Sequence, residues 1–133
     1  MMTYLEPSDI LNLYYTSLYS GDLSTVKSLM TEESYIMTLE TFGLRLALRD
    51  QEFKSQLKKI EDDEDTLAEV ENKLSYDLID RRNSPEIDIK NVSRNGENRQ
   101  TIDYTEDGKM KKLYFSKEKD GWKINYYAGR KVV

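Results

Sequence analysis

Three dipeptides, Asn95-Gly96, Asp107-Gly108 and Asp120-Gly121, stand 12 and 13 residues apart in the second half of this chain. Asn-Gly and Asp-Gly pairs tolerate φ > 0 at both central positions, so they favour the type I′ turns of two-residue hairpins. The spacing is that of short strands in a meander. It predicts strands at about 86–94, 97–106, 109–119 and 122–129.

Two-residue loops fix which residues oppose one another. Around Asn95-Gly96, Ile89 falls opposite Ile102, Ile87 opposite Tyr104, and Asn91 opposite Gln100. Around Asp107-Gly108, Ile102 meets Leu113, Gln100 meets Phe115 and Asp103 meets Lys112. Around Asp120-Gly121, Phe115 meets Tyr126, Lys117 meets Ile124 and Leu113 meets Ala128. Opposed residues share a face. One face therefore collects Ile87, Ile89, Ile102, Tyr104, Leu113, Phe115, Trp122, Ile124, Tyr126 and Ala128, and the other is polar, with Asp88 against Asp103 and Lys112 beside them.

A meander with one apolar face needs a cover, and the first half of the chain supplies helices. Pro7-Ser8-Asp9 reads as a helix start, and Ile10, Leu11, Tyr14, Tyr15 and Leu18 recur at helical spacing. Ser20-Gly21-Asp22 breaks that helix and opens a second, with Gly21 suited to the C′ position and Asp22 to an N-cap. The expected helices are about 8–20, 22–31, 33–48, 50–60 and 64–82, with 35–38 also able to form a short strand. Glu61-Asp62-Asp63-Glu64-Asp65 lacks the alternating ligands and central glycine of a calcium loop, and reads as a solvated link or an acidic helix N-terminus. Helices followed by an antiparallel sheet give one α+β domain over 1–133, with helices packed on one face of a curved, cone-like four-strand meander.

Composition removes chemistry. With no cysteine there are no disulfides and no thiolate ligands or nucleophiles, and with no histidine the commonest general base and metal ligand is missing. Neither a cofactor nor a metal is expected. The net charge of −5 is split: −10 on residues 1–80 (7 basic, 17 acidic) and +5 on 81–133 (13 basic, 8 acidic). The basic half is rich in tyrosine, which raises nucleic acid as a partner, but overall acidity repels phosphate at long range and favours an ordinary lysine-lined sheet face. The first residues carry no basic n-region or apolar h-region, and no apolar run approaches the ~20 residues of a membrane span, so a cytoplasmic protein is the expectation.

Tyr14, Tyr15 and Leu18, then Ser20-Gly21-Asp22 and Val26-Lys27-Ser28-Leu29-Met30, resemble the opening helices of the nuclear transport factor 2-like superfamily. Asp107-Gly108, Leu113-Tyr114-Phe115 and Asp120-Gly121-Trp122-Lys123-Ile124 resemble the last two strands of its small bacterial members. The resemblance implies a curved sheet wrapped round a long first helix. It also allows one activity to be examined residue by residue. Ketosteroid isomerase-like sites place a tyrosine on the first helix, which corresponds to Tyr14, and an aspartate base at a position near Thr38. No aspartate lies between Asp22 and Asp50. The base is missing, and Tyr14 fits a core aromatic with a satisfied hydroxyl.

The remaining candidates form a pocket lining. Asn91 and Gln100 interrupt the apolar face, and a buried amide needs partners, so an inward amide pair marks a polar-tipped cavity or a wet seam beyond the last helix. With Tyr14, Tyr104 and Tyr126 they make up the expected ligand-binding set. The resulting expectation is a non-catalytic module binding a small molecule or a protein at the concave sheet face, as a monomer or weak homodimer. The alternative is a small lyase- or isomerase-like enzyme using tyrosine and carboxylate.

Overall fold

The computed structural model describes residues 5–80 and 84–128. Five helices precede four strands: α1 Pro7–Tyr19, α2 Leu23–Ser28, α3 Glu32–Ala47, α4 Gln51–Leu57, α5 Glu64–Asp80, β1 Ile87–Arg94, β2 Arg99–Glu106, β3 Lys109–Glu118 and β4 Gly121–Ile124. The sheet is an antiparallel meander in the order β1-β2-β3-β4. Residues 33–48, open between helix and strand in the sequence, are helical: Thr31 caps α3 through its hydroxyl, and Glu32 and Glu33 lie in the first turn. The expected helix end at 81–82 and strand end at 129 lie outside the described residues.

Local signals set the helix ends. α1 carries Pro7 at its start and a reciprocal cap between Glu6 and Asp9. Gly21, at φ 76°, turns the chain after α1, and the Asp22 carboxylate accepts hydrogen bonds from the Thr25 amide and hydroxyl to open α2. The second helix is shorter than expected because the chain leaves it to join the sheet. Met30 bridges Ile124 in parallel, with the Ile124 amide donating to the Leu29 carbonyl at 2.8 Å and the Thr31 amide to the Ile124 carbonyl at 3.0 Å. This contact closes the outer edge of β4. The acidic run serves as a helix start: the Asp63 carboxylate accepts from the Thr66 hydroxyl and amide, which hold it below the usual carboxylate range.

Only the central hairpin keeps the expected register. Ile102 pairs with Leu113, Gln100 with Phe115 and Asp103 with Lys112 around Asp107-Gly108, both at positive φ. At β3–β4 the turn residues are Lys119 and Asp120, and Gly121 follows at φ 116°, so Glu118 pairs with Gly121, Lys117 with Trp122 and Phe115 with Ile124. That is a type I turn followed by a glycine bulge. β4 ends at Ile124, so Tyr126 and Ala128 lie beyond the strand instead of facing Phe115 and Leu113.

At β1–β2, Asn95 is not at positive φ. Its amide pairs with the Arg99 carbonyl at 3.0 Å and its side chain donates to the Thr101 hydroxyl at 2.9 Å, leaving a longer loop over 96–98. Ile87 therefore opposes Glu106, and Ile89 opposes Tyr104. A bulge between Ile89 and Asn91 then inverts the faces, so that Asn91 opposes Asp103 and Val92 opposes Ile102. Asp88 faces Thr105, not Asp103.

The helices cover the face that carries Ile102, Tyr104, Leu113, Phe115 and Ile124, all of them buried. α1 lies directly on β2 and β4. Leu18, Leu39, Phe53, Leu74 and Leu78 complete the core without solvent exposure. Truncating any of these leucines to alanine would cost about 2–5 kcal/mol. Among the described residues, no helix is long and apolar enough to cross a membrane.

Candidate functional site

α1 brings two pairs of hydroxyls together, one with β2 and one with the segment that follows β4. Consecutive Tyr14 and Tyr15 pack edge to face with centroids 5.0 Å apart. The Tyr15 and Tyr104 hydroxyls are 2.7 Å apart, and those of Tyr14 and Tyr126 are 3.1 Å apart. Thr38 of α3 extends the second pair: its hydroxyl lies 3.2 Å from that of Tyr126 and 3.5 Å from the Met30 sulfur. The Ser34 hydroxyl accepts the Tyr126 amide at 2.9 Å, which fixes the chain just after β4.

Burial raises every phenol in this cluster that shifts. It pushes Tyr104 up to about 12, with the Tyr15 hydrogen bond pulling the other way. Burial raises Tyr15 further, helped by its bond to Tyr104 and by the nearby Glu106 carboxylate, and it raises Tyr14 as well. These phenols stay protonated at neutral pH and act as hydrogen-bond donors and acceptors. The Glu106 carboxylate is itself held by Lys111 at 2.8 Å.

Of the five expected ligand-binding residues, Tyr14, Tyr104 and Tyr126 come together here. Asn91 does not: it is exposed beyond the bulge, and its amide donates to the Ser93 hydroxyl at 3.1 Å. Its expected pairing with Gln100 fails because the bulge turns it to the opposite face. Gln100 itself is only 5% exposed, on the helix-covered face between Arg94 and Phe115. Among the described residues nothing hydrogen-bonds its side-chain amide. Tyr15, Ser34 and Glu106 join the cluster without having been singled out as site residues. Tyr15 follows Tyr14 on the same helix, where the helical spacing marks it only as a core position. Thr38 occupies the place where the resemblance puts a catalytic aspartate, and it presents a hydroxyl.

A separate cleft of about 750 Å³ opens between α3 and the link into α5. Seven carboxylates border it, from Glu32, Glu33 and Glu40 to the run Glu61–Glu64, against the single cation of Lys27. Among the described residues no group of three or more acidic side chains could hold a metal ion. Compared with known proteins, the chain matches no family model, no curated protein and no solved structure.

Proposed function

We propose that the chain is a non-catalytic binding module, of the nuclear transport factor 2-like kind, that takes a small polar ligand against the helix-covered face of its sheet. The observation that carries this reading is Gln100. A primary amide brings two donors and an acceptor to an apolar face, and a buried amide left without partners costs about 1–3 kcal/mol. A ligand bearing a complementary amide, carboxyl or hydroxyl group would recover that cost. The tyrosine hydroxyls satisfy one another, so they set the polarity of the neighbouring wall and carry no reaction.

Thermal melts of wild type and Gln100→Leu against a metabolite library test the reading. A compound that raises the wild-type melting temperature and loses that effect in Gln100→Leu supports it. The reading fails if no compound shifts wild type.

One observation favours an enzyme instead: Tyr15, Tyr104 and Glu106 place two phenols beside a carboxylate, the pair of groups a histidine-free lyase or isomerase would need. Lys111 neutralises that carboxylate, and burial keeps the phenols from ionising near neutral pH, so binding is the better-supported function.

A further inference from the structure

β1 is the open side of this sheet. The β4 edge is closed by Met30, whereas among the described residues nothing pairs with the outer edge of β1. The closing bonds of the hairpin show which of its backbone groups point outward. Asn95 bonds to Arg99, and the Asp107 amide bonds to the Glu86 carbonyl at 2.9 Å. Alternation along an antiparallel ladder then directs Glu86, Asp88, Asn91 and Ser93 toward β2, and Ile87, Ile89, Val92 and Arg94 away from it. These four outward residues all lie on the helix-covered side, because they oppose or align with Glu106, Tyr104, Ile102 and Gln100. Val92 is 48% exposed there, and Ile87 and Ile89 are half-buried.

We propose that this edge is a self-association surface, on which two copies pair their β1 strands antiparallel about a two-fold axis between Lys90 and Asn91. The pairing sets Ile89 of each copy opposite Val92 of the other, Ile87 opposite Arg94, and Asp88 opposite Ser93. The bulge makes this register possible. In a regular strand Ile89 and Val92, three residues apart, would point to opposite faces and direct their amides to opposite edges. With the extra residue inserted they share both face and edge, so outward groups meet outward groups and apolar side chains meet apolar side chains. Ile89 and Val92 from both copies close a cluster that extends the core beyond Ile102 and Tyr104. No like charges are opposed. Lysines and bulges commonly guard strand edges. Here the Lys90 ammonium is held at 2.6 Å by Asp88 of its own strand, and the bulge brings the two halves of the strand into phase. The product is a continuous sheet of two four-strand meanders, an isologous dimer.

Light scattering after gel filtration should give twice the chain mass at high concentration and the chain mass on dilution. Val92→Lys should abolish the dimer with the far-UV spectrum and melting point of the diluted wild type unchanged, since about half of Val92 already faces solvent in the single chain. A second variant reads the register. The protein has no cysteine, and Asp88→Cys with Ser93→Cys places thiols ~17 Å apart within one strand, too far to bridge. Across the proposed axis the same residues face each other at about 4.5 Å, within disulfide reach. Oxidation should therefore yield a covalent dimer with no free thiol. A monomer over the whole concentration range overturns the proposal. So does a dimer that survives Val92→Lys, or one whose paired cysteines fail to lock.

Discussion

The hydroxyls of Tyr15 and Tyr104 lie 2.7 Å apart and join the middle of α1 to the centre of β2. Both side chains are buried, so removing one oxygen strands the other. Tyr15→Phe and Tyr104→Phe should each cost about 1–2 kcal/mol of unfolding free energy. Tyr104→Phe is the milder, because Tyr15 keeps its contact with Glu106. The double variant should lose less than the sum, with a coupling of about 0.5–3 kcal/mol in urea unfolding. Strict additivity would show that the two oxygens do not bond.

The same burial predicts the alkaline limit of the fold. Tyr104 ionises near 12 in the folded chain against 10.0 for a free phenol, and Tyr14, Tyr15 and Tyr35 shift in the same direction. A phenol whose folded pKa is raised holds its proton more tightly when folded, so its stabilisation is complete below pH 10 and is lost as pH rises toward 12. Stability measured by urea should therefore be flat with respect to these groups up to pH about 10 and fall beyond it. Phenolate absorbance of the folded protein should lag that of the urea-unfolded chain. Coincident titrations of the two, with the circular dichroism of the folded sample intact, would contradict the buried cluster.

Gly21 joins the first helical pair to α5. It sits at φ 76°, and a Cβ there would lie 2.6 Å from Ile79 Cγ1 and 2.9 Å from the Ser75 carbonyl oxygen. The isoleucine end can move, but the carbonyl belongs to a helix, and the Ser75 hydroxyl already donates to the Gly21 carbonyl. Gly21→Ala should therefore cost about 2–4 kcal/mol, combining left-handed strain with overpacking. Gly108→Ala has a similar φ of 83° but open space around it, and should cost about 1 kcal/mol from strain alone. Equal losses for the two variants in urea melts would mean that α5 does not press on Gly21.

The apolar face was legible in the sequence for a reason that also explains what was not. Relative to a two-residue Asx-Gly turn, the β3–β4 hairpin slips by two residues, and β1–β2 slips by three beside its loop and by two beyond the bulge. A slip of two preserves the alternation, so Ile87, Ile89, Ile102, Leu113, Phe115 and Ile124 stay on one side. Partners change while faces survive. The sequence carried no mark for the bulge at Lys90, which is an odd-numbered slip and turns Asn91 outward. Nor did local pattern distinguish Asn95, whose side chain reaches Thr101 six residues away and whose φ is not positive. The tyrosine cluster was half legible. Tyr14, Tyr104 and Tyr126 stood out, but Thr38 and Ser34 bond to Tyr126 only because the chain after β4 folds back over α3, a contact across about ninety residues.

Asn91 and Gln100, which the turn spacing sets opposite each other, should behave differently from one another. Asn91 is exposed and, among the described residues, its amide meets only Ser93, so Asn91→Leu should change stability by no more than about 0.5 kcal/mol. Gln100 is buried, with nothing described bonding its amide. Replacing it with leucine, close in size, removes unsatisfied polar atoms from an apolar face and should raise the unfolding free energy of the ligand-free protein by about 1 kcal/mol. Chemical denaturation of both single variants in the same buffer decides the matter. A destabilised Gln100→Leu would mean that the amide is already bonded in the free protein, to ordered water or to another part of the chain. The group on which the binding reading rests would then be spoken for.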